Sequence, residues 1–418
     1  MIRKILSVLL GLTLTHGLQA QTACLTNKVD GYAALSGENF NTTTGGAGGT
    51  VINISTLTQL QDWVASREDN SAAEIVYINA HIEQPGATSL VLTIKRGANI
   101  SIIGNTADAG LKNIGLNIRQ YNNVIIRNLT IHEVFYPNDG ITIDECHHVW
   151  VDHNDLYSKN GEGITVDTYD GLLDLKNGAR FVTISWNRLH SHKKVNLVGH
   201  TDNANAQAVD QNIRATFHHN YYYDNDGRML SLRWGAAHFY NNYLKDIYDY
   251  GMAARQGAHA LIENNIYENV VTPITTNKFD GIGIVCERGN LFTGTSGPNS
   301  ITQIDCNWWN ATTLSYNYTL TPTSELIGLL TSKTGVCALV VTDINETVLE
   351  NHTLAVYPNP SKEAFTVTNA TGTLQVYDAK GQLVETIQAQ GNAIFGAYYK
   401  SGVYLVKLGS QTLKVVKE

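Results

Sequence analysis

Five asparagines, Asn154, Asn187, Asn220, Asn242 and Asn265, each close the same short pattern: an apolar residue, two polar or aromatic residues, then Asn. The copies read VDHN, ISWN, FHHN, FYNN and IENN, and their asparagines step by 33, 33, 22 and 23 residues. IIRNLTI at 125–131 is an earlier, less regular copy. A repeat of this length, made of short strands and turns, cannot bury an apolar face alone but can bury it against the next repeat. No helical pattern intervenes between the strands, so the expected stack is a parallel β-helix. The repeating Asn would then form a ladder of side-chain amides at one corner. A propeller is the alternative, and the variable step argues against equal blades.

The flanking sequence fits this reading. EIVYI, LVLTI and ISIIG are short apolar strands from position 74 onward, and 57–65 (LTQLQDWVA) is an amphipathic helix with Leu57, Leu60 and Val64 on one face, placed to cap one end. The glycine-rich GYAALSGENFNTTTGGAGG at 31–49 lacks a following GK[S/T] and a βαβ context, so it is a structural segment and not a phosphate loop. The longer coils near 160–180 and 195–212 are expected to be loops forming a cleft wall.

With 418 residues, the chain is expected to hold one large domain and a smaller one. A formal net charge of −8 excludes the basic balance of a nucleic-acid binder, so any anionic polymer would have to meet a local basic patch. Arg3 and Lys4, an apolar run over 5–14 and small residues ending at Ala20 read as a secretory signal peptide over 1–20. No other stretch is long and apolar enough to span a membrane. Export permits disulfides, and five cysteines leave at least one thiol over. We expect Cys286 to pair with Cys306 and Cys24 with Cys337, with Cys146 in the core.

Chemistry concentrates between 139 and 233. Asp139 lies in PNDGITID, Asp170 and Asp174 in DTYDGLLDL, Lys194 in SHKK, and Arg228 and Arg233 in DGRMLSLRWG. VWVDH at 149–153 is a strand-like run holding Asp152. An oxygen-only set suits a hard cation such as calcium. Arginine forks and a lysine suit carboxylates. A metal beside cations implies an anionic ligand between them, and stacked coils about 4.8 Å apart could bring these residues together. After 343 the pattern changes to short alternating strands separated by Asn-Pro, Asp-Ala-Lys-Gly and Ser-Gly turns. This suggests a linker at 343–350 and a small β-sandwich over 351–418.

VWVDH, the DGLLDL…VTISWN…HKK run and an Arg-x-x-x-x-Arg ahead of Trp-Gly together resemble the extracellular pectate lyases, over roughly 31–337. The resemblance implies an all-β chain whose domain at 21–342 is a right-handed parallel β-helix, followed by the small C-terminal β-sandwich. It implies a Ca2+ ion held by Asp139, Asp170 and Asp174, Lys194 and Arg233 binding substrate carboxylates, and Arg228 as catalytic base. Asp152 matches a family hallmark of mainly structural role. Two departures stand out: Pro137 occupies a position where some members carry an extra acid, and Leu230 replaces the usual proline of the arginine motif. YPNP (357–360), VYDAKGQLV (376–384) and GVYLVK (402–407) similarly resemble type IX secretion sorting domains, with a carbohydrate-binding sandwich as the alternative. The partners implied are polygalacturonate and that secretion machinery. The implied state is a monomer exported through the periplasm, then extracellular or attached to the cell surface.

Such an enzyme would remove the C5 proton of a galacturonate, α to its carboxylate, and expel the C4 glycosidic oxygen. Calcium and Lys194 would stabilise the enediolate-like charge that develops. Guanidinium normally stays protonated, so a water or hydroxide oriented by Arg228 is the alternative to Arg228 itself. A β-helix polygalacturonase is the rival enzyme, with paired carboxylates. Its NTD and GHG signatures are absent, VGHT at 198–201 being the nearest string. A pectin lyase and a non-catalytic polysaccharide-binding β-helix complete the alternatives. The histidines (His147, His148, His153, His190, His192, His200, His218, His219) and Tyr221–Tyr223 are expected to stack and hydrogen-bond within the coils.

Overall fold

Every strand in the larger part of the computed structural model pairs in parallel with the strand one coil away. The structure describes residues 28–337, 355–408 and 411–418, so the expected leader at 1–20, Cys24 and the expected linker at 343–350 lie outside the described residues. The chain divides into two compact units, Met1–Val341 and Thr342–Glu418.

The first unit is a β-solenoid of about ten turns. Three stacks of inward side chains fill it. Val124, Val149, Val182, Ala215, Ala237, Ala260 and Val285 lie in register down one sheet. Leu111, Ile131, Leu156, Leu189, Tyr222, Leu244 and Tyr267 line the second. Ile118, Ile143, Leu175, Val198, Leu232 and Ala254 line the third. All of these are buried. Strand residues alternate faces, so each inward aliphatic leaves its neighbours pointing outward, and on the third sheet most of those neighbours are polar, among them Asn117, Arg119, Thr142, Asp144, Asp174 and Lys176.

The asparagine ladder forms. Each Asn amide nitrogen donates to the Oδ1 of the next, from Asn154 through Asn187, Asn220 and Asn242 to Asn265, at 3.0–3.1 Å. Each of those Oδ1 atoms also accepts the preceding Asn backbone N–H, and the second amide hydrogen goes to a main-chain carbonyl. The five side chains are fully buried with both donors used, and in Asn187, Asn220, Asn242 and Asn265 the Oδ1 accepts twice. Asn290 extends the ladder by one rung. The earlier copy is offset: Leu129, not Asn128, stands at the ladder position, its N–H donating to Asn154 Oδ1. Backbone conformation explains the offset. Asn128 has φ 61°, matching His153, Trp186, His219, Asn241 and Asn264, which precede the rungs. A left-handed corner residue comes first and the ladder residue second.

The expected helix is Leu57–Ser66, opened by a Thr56–Gln59 capping box, with Leu60, Trp63 and Val64 buried. It is not alone, since Ala204–Asp210 and Thr323–Lys333 are also helical. The latter seats Leu326 and Leu330 on Tyr243 and Ile266. Of the two expected loops, the first is shorter than predicted. Leu173–Lys176 and Arg180–Ser185 are solenoid strands, because Leu173 and Leu175 return to the core. The second contains the Ala204–Asp210 helix. Within 45–49, Gly46 and Gly49 meet backbone: a Cβ would lie 1.8 Å from the Glu74 carbonyl oxygen and 1.9 Å from that of Ala73, respectively, which gives these two glycines a structural reason. Cys286 and Cys306 form a disulfide, Cys337 is disulfide-bonded, and Cys146 is a buried free thiol pushed up to about 12 by burial.

The second unit is antiparallel. Its five strands are Ala355–Tyr357, Phe365–Asp378, Leu383–Phe395, Gly402–Leu408 and Gln411–Lys417. The long central pair shifts register between Val367 and Ala370, and both of its halves contribute to one core containing Phe365, Val367, Leu374, Val376, Phe395, Val406 and Val415. No helix among the described residues is long and apolar enough to cross a membrane.

Candidate active site

The predicted site residues other than Arg233 gather at the corner where the second sheet hands over to the third. Backbone hydrogen bonds stack that corner through successive coils: Gly140 N–H to Gly171 O, Leu172 N–H to Val195 O, Val195 N–H to Gly227 O, and Asn196 N–H to Arg228 O. Asp139, Asp170, Lys194 and Arg228 each lie within a residue of these contacts. Successive coils thus deliver acid, acid, lysine and arginine to one ridge.

Asp139 and Asp174 converge. A Cβ on Gly171 would lie 2.8 Å from Asp139 Oδ1 and 2.7 Å from Asp174 Oδ1, so glycine leaves room for both carboxylates. Asp139 accepts from Gly171 N–H at 2.9 Å and from the Thr142 hydroxyl at 2.7 Å, and Asp174 accepts from Leu197 N–H at 3.0 Å. Both acids are buried. Burial, and then the neighbouring Asp139 charge, push Asp174 up to about 8. Two buried carboxylates in this state call for a cation.

Lys176 supplies one in this structure. Its Nζ lies 2.9 Å from Asp139 Oδ2 and 3.7 Å from Asp174 Oδ2. Burial pulls its pKa down, but Asp174 and Asp139 outweigh burial and the net shift is upward. Sequence reasoning passed over this residue, although a signal was present. Lys176 stands two residues after Asp174 in a strand, so both side chains share the outward face.

The third predicted acid does not join the pair. Asp170 Oδ1 is 2.7 Å from Lys194 Nζ, and that ammonium also lies 5.8 Å from the Tyr136 ring centroid. His192 fixes the Asp170 backbone, its Nε2 donating to the Asp170 carbonyl at 2.5 Å. Burial holds that imidazole down at about 4, so it is neutral, with its proton on Nε2. Accordingly no group of three or more acid, histidine or cysteine side chains converges as a metal cluster among the described residues. The donor set still suits calcium in kind: hard carboxylate oxygens, two of them buried together with too little positive charge.

Arg228 turns the corner with φ 65°, and the Tyr250 hydroxyl lies beside its guanidinium. Arg233 points elsewhere than the acid pair. Its Nε donates to Asp202 at 2.8 Å and its Nη1 to the Gly199 carbonyl at 2.7 Å. Arg255, one coil on and in register with Arg233, donates to the same Asp202 at 2.5 Å. Asp202, Arg255 and Tyr250 had no sequence signal beyond coil spacing. Asp152, by contrast, is structural: it accepts from Arg127, His153 and Ser185. His153, His190 and His219 stack as expected, in His153–Trp186–His219 and Tyr157–His190–Tyr223 columns, whereas His200 is exposed beside Asp210.

A family profile described as Pectate lyase matches residues 2–338, and one described as Secretion system C-terminal sorting domain matches residues 355–418. A pectate trisaccharide-lyase of Bacillus licheniformis is 36% identical over 303 residues, covering 70% of this chain and 85% of the relative. Pectate lyase A of Aspergillus niger is 37% identical over 60% of this chain and 72% of its own length. Among solved structures, a pectate lyase from a Bacillus species in complex with trigalacturonate superposes with a TM-score of 0.64 at 31% identity, covering 74% of this chain and 99% of the other. Pectate lyase II of Xanthomonas campestris gives 0.61 at 25% identity, covering 74% and 99%. The ridge of acids, lysine and arginines therefore stands in a known setting: this chain belongs to the pectate lyase family and ends in a secretion sorting domain.

Proposed function

We propose that this lyase cleaves de-esterified polygalacturonate by calcium-dependent β-elimination, releasing 4,5-unsaturated oligogalacturonates. The observation that carries the reading is the single ridge on which stacked coils place Asp139, Asp170, Asp174, Lys194 and Arg228, with Arg233 on the strand that follows. Asp139 and Asp174, with Asp170, would hold the ion. When bound, calcium draws charge from the uronate C6 carboxylate and so acidifies the C5 proton.

The chain's own groups do the rest. Lys194, exchanging its Asp170 partner for the substrate, donates a charge-assisted bond to the C6 carboxylate as enediolate character develops. Arg228 faces the C5 proton, as the base or as the group that orients a hydroxide. Arg233 retains its Nη2 donors for a neighbouring uronate, because its bonds to Asp202 and Gly199 use only Nε and Nη1. Lys194 and Arg228 project from stacked coils of one β-helix corner, with Arg233 on the strand that follows, which would limit the geometric freedom the site must lose on binding.

The test is absorbance of an unsaturated uronate on adding polygalacturonate, with calcium or with chelator. The reading predicts absorbance that chelator abolishes and calcium restores. Reducing ends without absorbance would mean hydrolysis. Neither signal, with binding intact, would mean a polysaccharide-binding protein.

A further inference from the structure

We propose that Lys176 is a tethered competitor for the metal: its ammonium fills the space between Asp139 and Asp174 and must be expelled for calcium to bind. The inference rests on the reading that these two acids hold calcium. Its own basis is geometric. Lys176 Nζ is 2.9 Å from one carboxylate and 3.7 Å from the other, at the gap between two acids that are 8% and 5% exposed. A dication drawing oxygens from both acids would occupy the same volume, and like charges cannot share it.

The rest of the corner is built for such an exchange. Thr142, Gly171 and Leu197 hold the carboxylates by bonds that do not involve Lys176, so the acids stay in place when the ammonium leaves. The lysine stem is 25% exposed, which gives the ammonium a short way to water. Lysine suits the task better than arginine, being a strongly hydrated point charge on a flexible stem without a planar fork to lock it in place. The consequence is a chain that folds with its buried acids partly neutralised in the absence of calcium, and whose calcium affinity is set below what the carboxylates alone would give. That affinity is therefore tunable at a residue that need not be a ligand.

Calcium titration calorimetry without substrate, on the full mature chain, tests this in wild type, Lys176→Met and Lys176→Arg. One charge-assisted bond corresponds to about tenfold or more in an equilibrium constant, so Lys176→Met should bind calcium about tenfold tighter or more. It should also melt lower in EDTA, whereas Lys176→Arg should stay near wild type in both. In wild type, the acylation rate of Lys176 followed by mass spectrometry should rise severalfold when calcium replaces EDTA, a readout that needs no variant to fold. Equal calcium affinity in wild type and Lys176→Met, or labelling indifferent to calcium, overturns the proposal. Absence of binding in both proteins overturns the calcium reading itself. Binding in Lys176→Met alone would make the ammonium a permanent substitute and overturn both.

Discussion

Two corners of the same solenoid treat polar side chains in opposite ways. At the asparagine corner the amides from Asn154 to Asn265 are neutral, fully buried and bonded through both donors, and each rung reproduces the one before it. At the acidic corner, proposed as the active site, the stacked residues differ from coil to coil, carry charge, and remain poorly balanced: Asp174 is held up at about 8 and paired only at 3.7 Å. The first arrangement is what a repeat does to stabilise itself, since satisfied networks in a low-dielectric interior are strong. The second departs from that consistency, which is the mark of a functional site. One backbone thus supports a stabilising corner and the corner proposed to be reactive.

The largest effect should come from breaking the first corner. Asn220→Ala removes bonds to Asn187, Asn242 and the Ile184 carbonyl and leaves their partners buried and unsatisfied. Unsatisfied buried groups cost about 1–3 kcal/mol each, so the loss should be on the order of 4 kcal/mol by denaturant unfolding, with specific activity of the folded fraction retained. Arg228→Lys tests the other corner: kcat should drop about a hundredfold, with KM and melting temperature nearly unchanged. Substrate charge probes it as well. Highly methylated pectin cannot accept charge-assisted bonds from Lys194 or Arg233, so kcat/KM should fall about a hundredfold relative to polygalacturonate. A higher value on methylated pectin would show that the cations serve something else.

Acid should expose a cost that both corners share. Burial, aided at His219 by His218, holds His192 and His238 at about 4 and His219 at about 3. The unfolded chain therefore binds more protons than the native one below the ordinary value of 6.5, and stability falls as pH drops through the window between 6.5 and 4. Glu263, drawn down to about 2 by His238, Arg288 and Tyr318 against its burial, loses its contribution as pH falls from 4.5 toward 2. Melting temperature against pH should decline across the first window and continue through the second. A flat profile between 6.5 and 4 would contradict the neutral assignment of these histidines. The smallest effect is expected at the chain end. The two units have separate cores, so a chain ending near residue 345 should keep its kcat on pectate and lose only export.

The asparagine corner was readable because its spacing is its mechanism: 33, 33, 22 and 23 residues are coil lengths. It failed at its ends for stated reasons. Asn128 is the left-handed residue before the rung, and Asn290 follows Glu287-Arg288-Gly289, which lacks the apolar residue of the pattern. The proposed active-site corner was readable as a residue set but not as an arrangement. Resemblance picked out Asp139, Asp170, Asp174 and Lys194, yet which acid pairs with which cation depends on side-chain directions across coils. Asp170 turning to Lys194 and Arg233 to Asp202 leave no trace in one-dimensional spacing. Lys176 was readable from strand alternation, and the helix Thr323–Lys333 was obscured by Gly328 within a short apolar stripe.

The division between the corners is tested most directly by measuring Asp174→Asn and Asn220→Ala side by side, each for melting temperature in EDTA near pH 8.5 and for elimination on pectate with calcium. A carboxylate with a raised native pKa opposes folding increasingly as pH climbs toward that value, so Asp174→Asn should melt at or above wild type while losing at least about a hundredfold in elimination. Asn220→Ala should do the reverse. If Asp174→Asn melted as low as Asn220→Ala, or kept its elimination rate, the acids at 139 and 174 would be part of the scaffold and the account of a separate reactive corner would be wrong.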